Sequence, residues 1–483
     1  MGEALRIGWH EVDITPEQPI ELCGQYYQRL SRGVHSRLKA VVWAVEQGGQ
    51  AAVMVCVDLA GINRAFQDEL RERLRGRLSV DPGNVIVNAT HTHCGPSIAA
   101  FSDMWSPAPE AIDPDTYRSF LLDRLEEAVL EAWGDRSKGG VSHACGHASV
   151  GHCRRVVYTD GVAEMYGDTT RPDFAGMEGG EDASFDVLFC FDENGKPTGA
   201  VVNIPCPSQV MEATYKVSSD YMGRLRELTQ ERFGESFRTL CQVAPAGDQS
   251  PRDLTRPGTT VPLWGPEGVE ILANRLMRAI DAVYPDVERT IDYDAALSHA
   301  VSSLALPRRR ASYQEYRAAS ETVDRLEAIQ SLQDAYADFC EETHATETIL
   351  NRPGPYDNKL CHFGEVMNNK AVIARYEDQD EQPNYEFELH VLRVGNVVFA
   401  TNPFELFLEY GQRIRARSRA AGTFLVQLCG DCGGYLPTPR AEQLGGYGGL
   451  IVNGRVGPDG GALLVDATVD RINAIVSTDE GKA

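Results

Sequence analysis

NVIVNATHTHCGP, residues 84–96, runs from an apolar strand straight into the polar cluster Thr90-His91-Thr92-His93. In an extended segment, side chains two positions apart point to the same side. His91 and His93 therefore project together, with Cα atoms about 7 Å apart by strand geometry. Two imidazoles at a strand end can share a metal, or one can bind it while the other handles a proton. A His-x-His is weak evidence by itself, because a hydrogen-bonded surface pair is the commoner case.

The same pattern, a strand followed by a polar cluster, recurs along the chain. AVVWAVEQGGQAAVMVCVDLAG (40–61) reads as a hairpin turning at Gly48-Gly49. Residues 185–191 and 200–204 form another around Asn194-Gly195, and FELHVLRVGNVVFAT (387–401) a third around Gly395-Asn396. Helical patterns cover about 64–78, 115–134, 221–233, 266–283, 406–419 and 461–477, with strands at 239–243 and 423–428. A charged helical insertion is expected at 310–350, and a long irregular loop over 351–385. With no internal repeat and no low-complexity linker, the economical reading is one large α/β domain spanning 1–483, its mixed β-sheets flanked by helices.

Composition narrows the function. Forty-six basic against 70 acidic side chains leave a net charge of −24. Such a surface repels phosphate backbones and anionic lipid, so neither nucleic acid nor a stable membrane association is expected. No apolar run approaches the roughly 18–20 residues that cross a bilayer, and the start MGEALRIGWHEVDITP has no secretory pattern. Twelve scattered cysteines, several inside apolar strands (Cys56, Cys190, Cys241), fit a reducing, cytoplasmic setting.

Four further segments hold polar residues beside turns or strand ends. Asp248 and Ser250 lie in AGDQSP (246–251), whose plainer explanation is an Asx-type turn before proline. Glu405 follows a strand in NPFEL (402–406), where the first turn of a helix also favours a carboxylate. Tyr435 and Tyr447 sit among glycines that allow close backbone approach to a ligand but also simply make loops. Cys429 and Cys432 form a Cys-x-x-Cys without a partner pair, which favours structural thiols over a redox or zinc-knuckle role.

Taken in order, DITP (13–16), NATHTHCGP (88–96), GDQSP (247–251), FE (404–405) and GYLPT (434–438) resemble the catalytic domain of the neutral/alkaline, non-lysosomal ceramidases, from about residue 5 to 450. The most specific elements are ATHTH-x-GP and GD-x-SP. The resemblance implies a neutral-ceramidase-like fold and a zinc held by His91, Cys206, Glu405 and Tyr435. Cys206, in NIPCPS (203–208), stands where the family has a second histidine ligand, and Phe404 stands where it usually has glycine. A thiolate is a competent zinc ligand but makes the metal a weaker Lewis acid. The resemblance also implies Ser250, His93, Asp248, Tyr447 and Arg154 (or Arg155) around the reacting carbonyl.

The expected activity is therefore zinc-dependent hydrolysis of a linear amide, on a small-molecule acyl substrate. Without the family's signal and C-terminal β-domain, a soluble amide, ester or lactone competes with ceramide. Homo-oligomerisation is left open. A catalytically silent ligand-binding homologue and a thiol redox protein using Cys429 and Cys432 are the readings from other classes.

Overall fold

The computed structural model describes residues 3–98, 108–256, 263–346 and 361–477. Two β-sheets pack face to face. The larger has eight strands in the order Arg238–Val243, Pro197–Ile204, Ser184–Asp192, Ser137–His147, Arg6–Asp13, Lys39–Gln47, Gln50–Val57, Val85–Ala89. The smaller has four, Leu297–Pro307, Asn384–Val394, Val397–Thr401 and Gly422–Val426. Their inner faces meet where Trp43, Met54 and Leu188 pack against Phe399, Phe424 and Val426. Trp43 and Phe399 lie 5.5 Å apart between ring centroids, and Phe399 and Phe424 lie 4.4 Å apart.

The outer faces are equally apolar, so helices cover them. Phe66 and Leu70 of helix Arg64–Leu74, with Leu121 and Leu125 of Pro114–Gly134, bury against Val42, Val53 and Val55. Helices Asp220–Phe233 and Gly265–Val287 cover Val187, Phe189 and Val202. Helices Leu408–Arg417 and Pro458–Ser477 cover the far side of the smaller sheet, around Leu389, Val391 and Val398. The α/β class and the flanked mixed sheets match the reading of the sequence, as do its three hairpins.

Two local expectations fail. Residues 362–378, placed in an irregular loop, form helix His362–Asp378, N-capped by the Cys361 sulfur accepting from Gly364 N at 3.1 Å. It packs with Tyr313–Ile329 and Leu332–Thr346 into a helical arm; residues 347–360 lie outside the described set. Glu405 stands in the short strand Phe404–Leu406 instead of a first helical turn, because backbone pairing with Gly434–Leu436 claims that segment.

Within these two sheets, three adjacent strand pairs run parallel: Gln50–Val57 with Val85–Ala89, Pro197–Ile204 with Arg238–Val243, and Val397–Thr401 with Gly422–Val426. Segments just beyond their carboxyl ends hold Asp58, Thr90, Cys206 and Asn402. Crevices at such strand ends are where open α/β sheets bind ligands. Beneath this edge lies a buried ion pair. Arg226 donates through both terminal nitrogens to Asp58, whose carboxylate also accepts from Lys39 N (2.8 Å) and Thr90 Oγ1 (3.2 Å). Neither side chain has meaningful solvent access.

Replacing Arg226 by Met leaves that carboxylate without its cation, and should cost about 3–5 kcal/mol in urea unfolding. Adding Asp58→Leu to it should recover part of the loss. Equal stability of Arg226→Met and the parent would show that the pair contributes nothing.

Candidate active site

The loop after strand Val85–Ala89 is fixed from behind. Thr90 N donates to the Val57 carbonyl (3.0 Å) while its hydroxyl donates to Asp58. His91 then adopts φ 60°, a left-handed conformation that costs a non-glycine residue about 1–3 kcal/mol and persists only where its surroundings impose it. Its Nδ1 bonds the Ala60 carbonyl at 2.5 Å. That partner assigns the Nδ1 proton and leaves Nε2 facing Glu405 Oε2 (3.4 Å) and His93 Nε2 (3.2 Å).

Strand register explains the opposite wall. Phe404–Leu406 and Gly434–Leu436 pair in parallel with Glu405 directly beside Tyr435. Gly434 has φ 69°, and a Cβ there would meet the Asn453 carbonyl at 2.5 Å, so glycine is required for the strand to start. The Tyr435 hydroxyl accepts from Arg154 Nη2 at 2.9 Å, and the same nitrogen holds the Gly247 carbonyl at 2.9 Å. Tyr447 stands edge-on to Tyr435 at 5.3 Å, and its hydroxyl meets that of Tyr26 at 3.0 Å. Of the two arginines, Arg154 reaches the site. Arg155 pairs with Glu178 (2.5 Å) and binds the carbonyls of Tyr447 and Gly445, stapling the glycine-rich loop in place.

His93 is held by other means. Its Nε2 lies 2.8 Å from the Gln209 amide nitrogen, and its Nδ1 lies 3.1 Å from Glu212 Oε2 but outside hydrogen-bonding alignment. Buried Arg29 donates to the carbonyls of Cys23, His93, Glu212 and Thr214, tying these segments together. Gly24, at φ 100°, lies so close that a Cβ would sit 2.4 Å from the His93 ring.

Burial and charge push the two imidazoles apart. Burial opposes protonation of His91, but the Glu405 carboxylate and the Ala60 carbonyl outweigh it, so its pKa is raised. For His93 burial dominates, Glu212 offsets it only in part, and neighbouring His91 repels the proton; its pKa falls to about 4. Glu405 is lowered, since His91 and Arg154 overcome its burial. Burial pushes Tyr435 and Tyr447 well above the ordinary phenol value, against the pull of Arg154 on Tyr435. Both phenols are neutral donors at physiological pH.

His91, His93, Glu405, Tyr435, Tyr447 and Tyr26 all line one cavity of about 400 Å³, with Gln25, Asn63, Ser97 and Asn453 among its polar walls. No protein-family model matches the chain. It is 26% identical over 264 residues to the neutral ceramidase of Pseudomonas aeruginosa, a match that takes in 53% of this chain and 38% of that protein. The crystal structure of neutral ceramidase from the same organism superposes with a TM-score of 0.68 at 18% identity, covering 98% of this chain and 74% of that one. A ceramidase complexed with C2 gives the same TM-score and identity, with 98% and 76% covered. The chain is thus similar to neutral ceramidase in sequence over about half its length and in fold over nearly all of it.

The ceramidase-like reading of the sequence named nine site residues, and the fold does not gather all of them. His91, His93, Glu405, Tyr435 and Tyr447 share the cavity, with Arg154 touching it through Tyr435. Cys206 does not reach it. Its Sγ donates to the Val150 carbonyl at 3.2 Å inside an apolar cluster with Val150, Met211 and Tyr221, and burial pushes the thiol pKa up. Gly151 packs closely on this segment: a Cβ there would lie 2.3 Å from the Pro205 carbonyl and 3.4 Å from Cys206 Cβ. Asp248 accepts from Leu408 N (2.9 Å) and Ser250 from Arg252 N (3.0 Å), both buried behind the wall instead of lining it.

Zinc can therefore be tested against the donors present. His91, Glu405 and Tyr435 fit: all three face one cavity, and the Ala60 carbonyl behind Nδ1 frees Nε2 in the way outer partners orient metal-ligating histidines. Among the described residues no group of three or more His, Cys, Asp or Glu side chains that could hold a metal ion is found, so tyrosine would have to be the third protein donor. Reading the sequence missed Tyr26, Gln209, Glu212 and Arg29. Only PSQVME (207–212), close after Cys206, held a usable signal: polar residues directly following a strand end.

In metal-free protein, Glu405→Gln should lower the His91 pKa, because the substitution removes the carboxylate that raises it. Imidazole NMR titration reads this directly, and an unmoved midpoint would show that the His91–Glu405 contact does not form.

Proposed function

We propose that the chain hydrolyses the carbon–nitrogen bond of a small linear N-acyl amide, with ceramidase-like chemistry. The observation behind this is that His91, Glu405, Tyr435 and Tyr447 face one cavity, backed by the Arg154 guanidinium. Similarity to neutral ceramidase supports the bond type. A volume of about 400 Å³, at the low end of the range for small-ligand sites, favours a compact substrate over a two-chain lipid.

Zinc belongs to this reading, with His91, Glu405 and Tyr435 to hold it, and when bound it would supply Lewis acidity and an acidified water. The protein's own groups set the rest. Tyr447, a neutral phenol at the cavity wall, donates to the oxyanion that develops on the substrate carbonyl. Arg154 donates to the Tyr435 hydroxyl and so fixes the orientation of that phenol at the cavity wall. His93 stays neutral because its pKa is about 4, and is positioned to take a proton at Nε2 once Gln209 yields. Asp248 ties the segment after Gly247, whose carbonyl orients Arg154, to Leu408 N, and Ser250 accepts from Arg252 N in the turn that follows.

The buried Cys206 also favours a second reading, in which the cavity binds a ligand without turning it over. Metal content separates the two. Purified protein should contain about one zinc per chain, unchanged in Cys206→Ser and lost in His91→Ala. Tyr447→Phe should keep the metal and lower kcat on an N-acyl amide about 10²–10³-fold. Zinc-free protein from zinc-replete growth, with no amide cleaved, would leave the binding reading standing.

A further inference from the structure

The helical arm has no evident place in a reaction, yet it touches two walls of the cavity. Tyr27 is buried in an apolar cluster with Tyr336, Phe339 and Phe363 of the arm, and its ring stands edge-on to His344 at 5.1 Å. The next residue back along the chain, Tyr26, lies on the cavity side, about two-fifths exposed. Its hydroxyl meets that of Tyr447 at 3.0 Å, with the two rings edge-on at 6.1 Å. Tyr26, Tyr447 and Tyr435 thus form a continuous aromatic row ending beside Glu405.

The second contact is polar. Arg375, on the arm's helix His362–Asp378, donates to the carbonyls of Gly454 (3.1 Å) and Arg309 (2.9 Å). Gly454 directly follows Val452 and Asn453, both part of the cavity wall. Asn453 in turn accepts from Gly448 N at 2.9 Å, one residue after Tyr447. Both partners of the Tyr26–Tyr447 contact are therefore fixed from the arm, one through Tyr27 and one through Arg375.

We propose that Tyr26 determines how long a substrate chain the cavity admits, and that the arm holds it in place through Tyr27. This rests on the amide-hydrolase reading above. A ring reaching from the loop that carries Gly24 to Tyr447 bounds the cavity on that side. Removing it would widen the cavity there, and loosening Tyr27 would let it swing away with the same effect.

The test uses straight-chain N-acyl p-nitroanilides from acetyl through butyryl and octanoyl to dodecanoyl, with the full-length parent, Tyr26→Ala, Tyr26→Phe and Tyr27→Leu. In the parent, kcat/KM should fall between butyryl and octanoyl. Tyr26→Ala should shift the optimum to longer chains through KM, by roughly tenfold or more on octanoyl. Tyr26→Phe should shift it less, and Tyr27→Leu should move it the same way as Tyr26→Ala while kcat on the acetyl amide stays within a few fold. Phe339→Leu replaces Tyr27→Leu if that variant unfolds in a thermal melt. A length profile identical to the parent's in both Tyr26→Ala and the arm variant overturns the proposal. Should the parent cleave none of the amides, the hydrolase reading fails, and calorimetric Kd values across the same series take the place of KM. No binding by any of them overturns the present inference as well.

Discussion

The pairing of Asp58 with Arg226 is the constraint on which the site depends. A carboxylate with no solvent access must be matched by charge and hydrogen bonds, and Arg226, Lys39 N and Thr90 Oγ1 together do so. Thr90 is fixed as a consequence, and His91 has to leave the strand in a backbone conformation it would otherwise avoid. The imidazole is aimed before any ligand arrives. Its orientation follows from the charge balance of the sheet edge and not from the loop's own preferences.

On the other wall the same outcome has a different cause. Glu405 and Tyr435 are neighbours because two three-residue strands pair in parallel at that register. A side chain in a paired strand has few alternatives, so the pairing sets where the carboxylate and the phenol stand. Arg154 joins the walls by binding Tyr435 and the Gly247 carbonyl at once. The result is two imidazoles with opposed proton affinities beside a carboxylate and neutral phenols.

The sequence showed most of this where a periodic pattern or a strand end was involved. The hairpins at 40–61, 185–204 and 387–401 were legible because apolar runs flank glycine turns, and His91 and His93 because they directly follow an apolar strand. Helix His362–Asp378 was not, since Asn and Gly punctuation there reads as loop while packing against Tyr336, Phe339 and Tyr27 stabilises helix. Cys206 shows the limit most clearly. Its position after a strand is the same as that of a ligand, but side-chain length and the direction of its Sγ are properties of the packed state. Tyr26, Arg29 and Glu212 act through contacts with residues far away along the chain, which no local pattern encodes.

The contact between Tyr26 and Tyr447 joins positions 421 residues apart. Closing so long a loop has an entropic penalty that grows only slowly with length, but the closure cannot happen until the last segments exist. During synthesis at about 5–20 residues per second, an emerging chain would spend most of its time with the amino-terminal half of the pocket made and its lining exposed to the surroundings. Competence to bind would then appear in one late step, only after residue 447 has emerged, and any premature termination upstream of that residue would yield a product with an unfinished pocket.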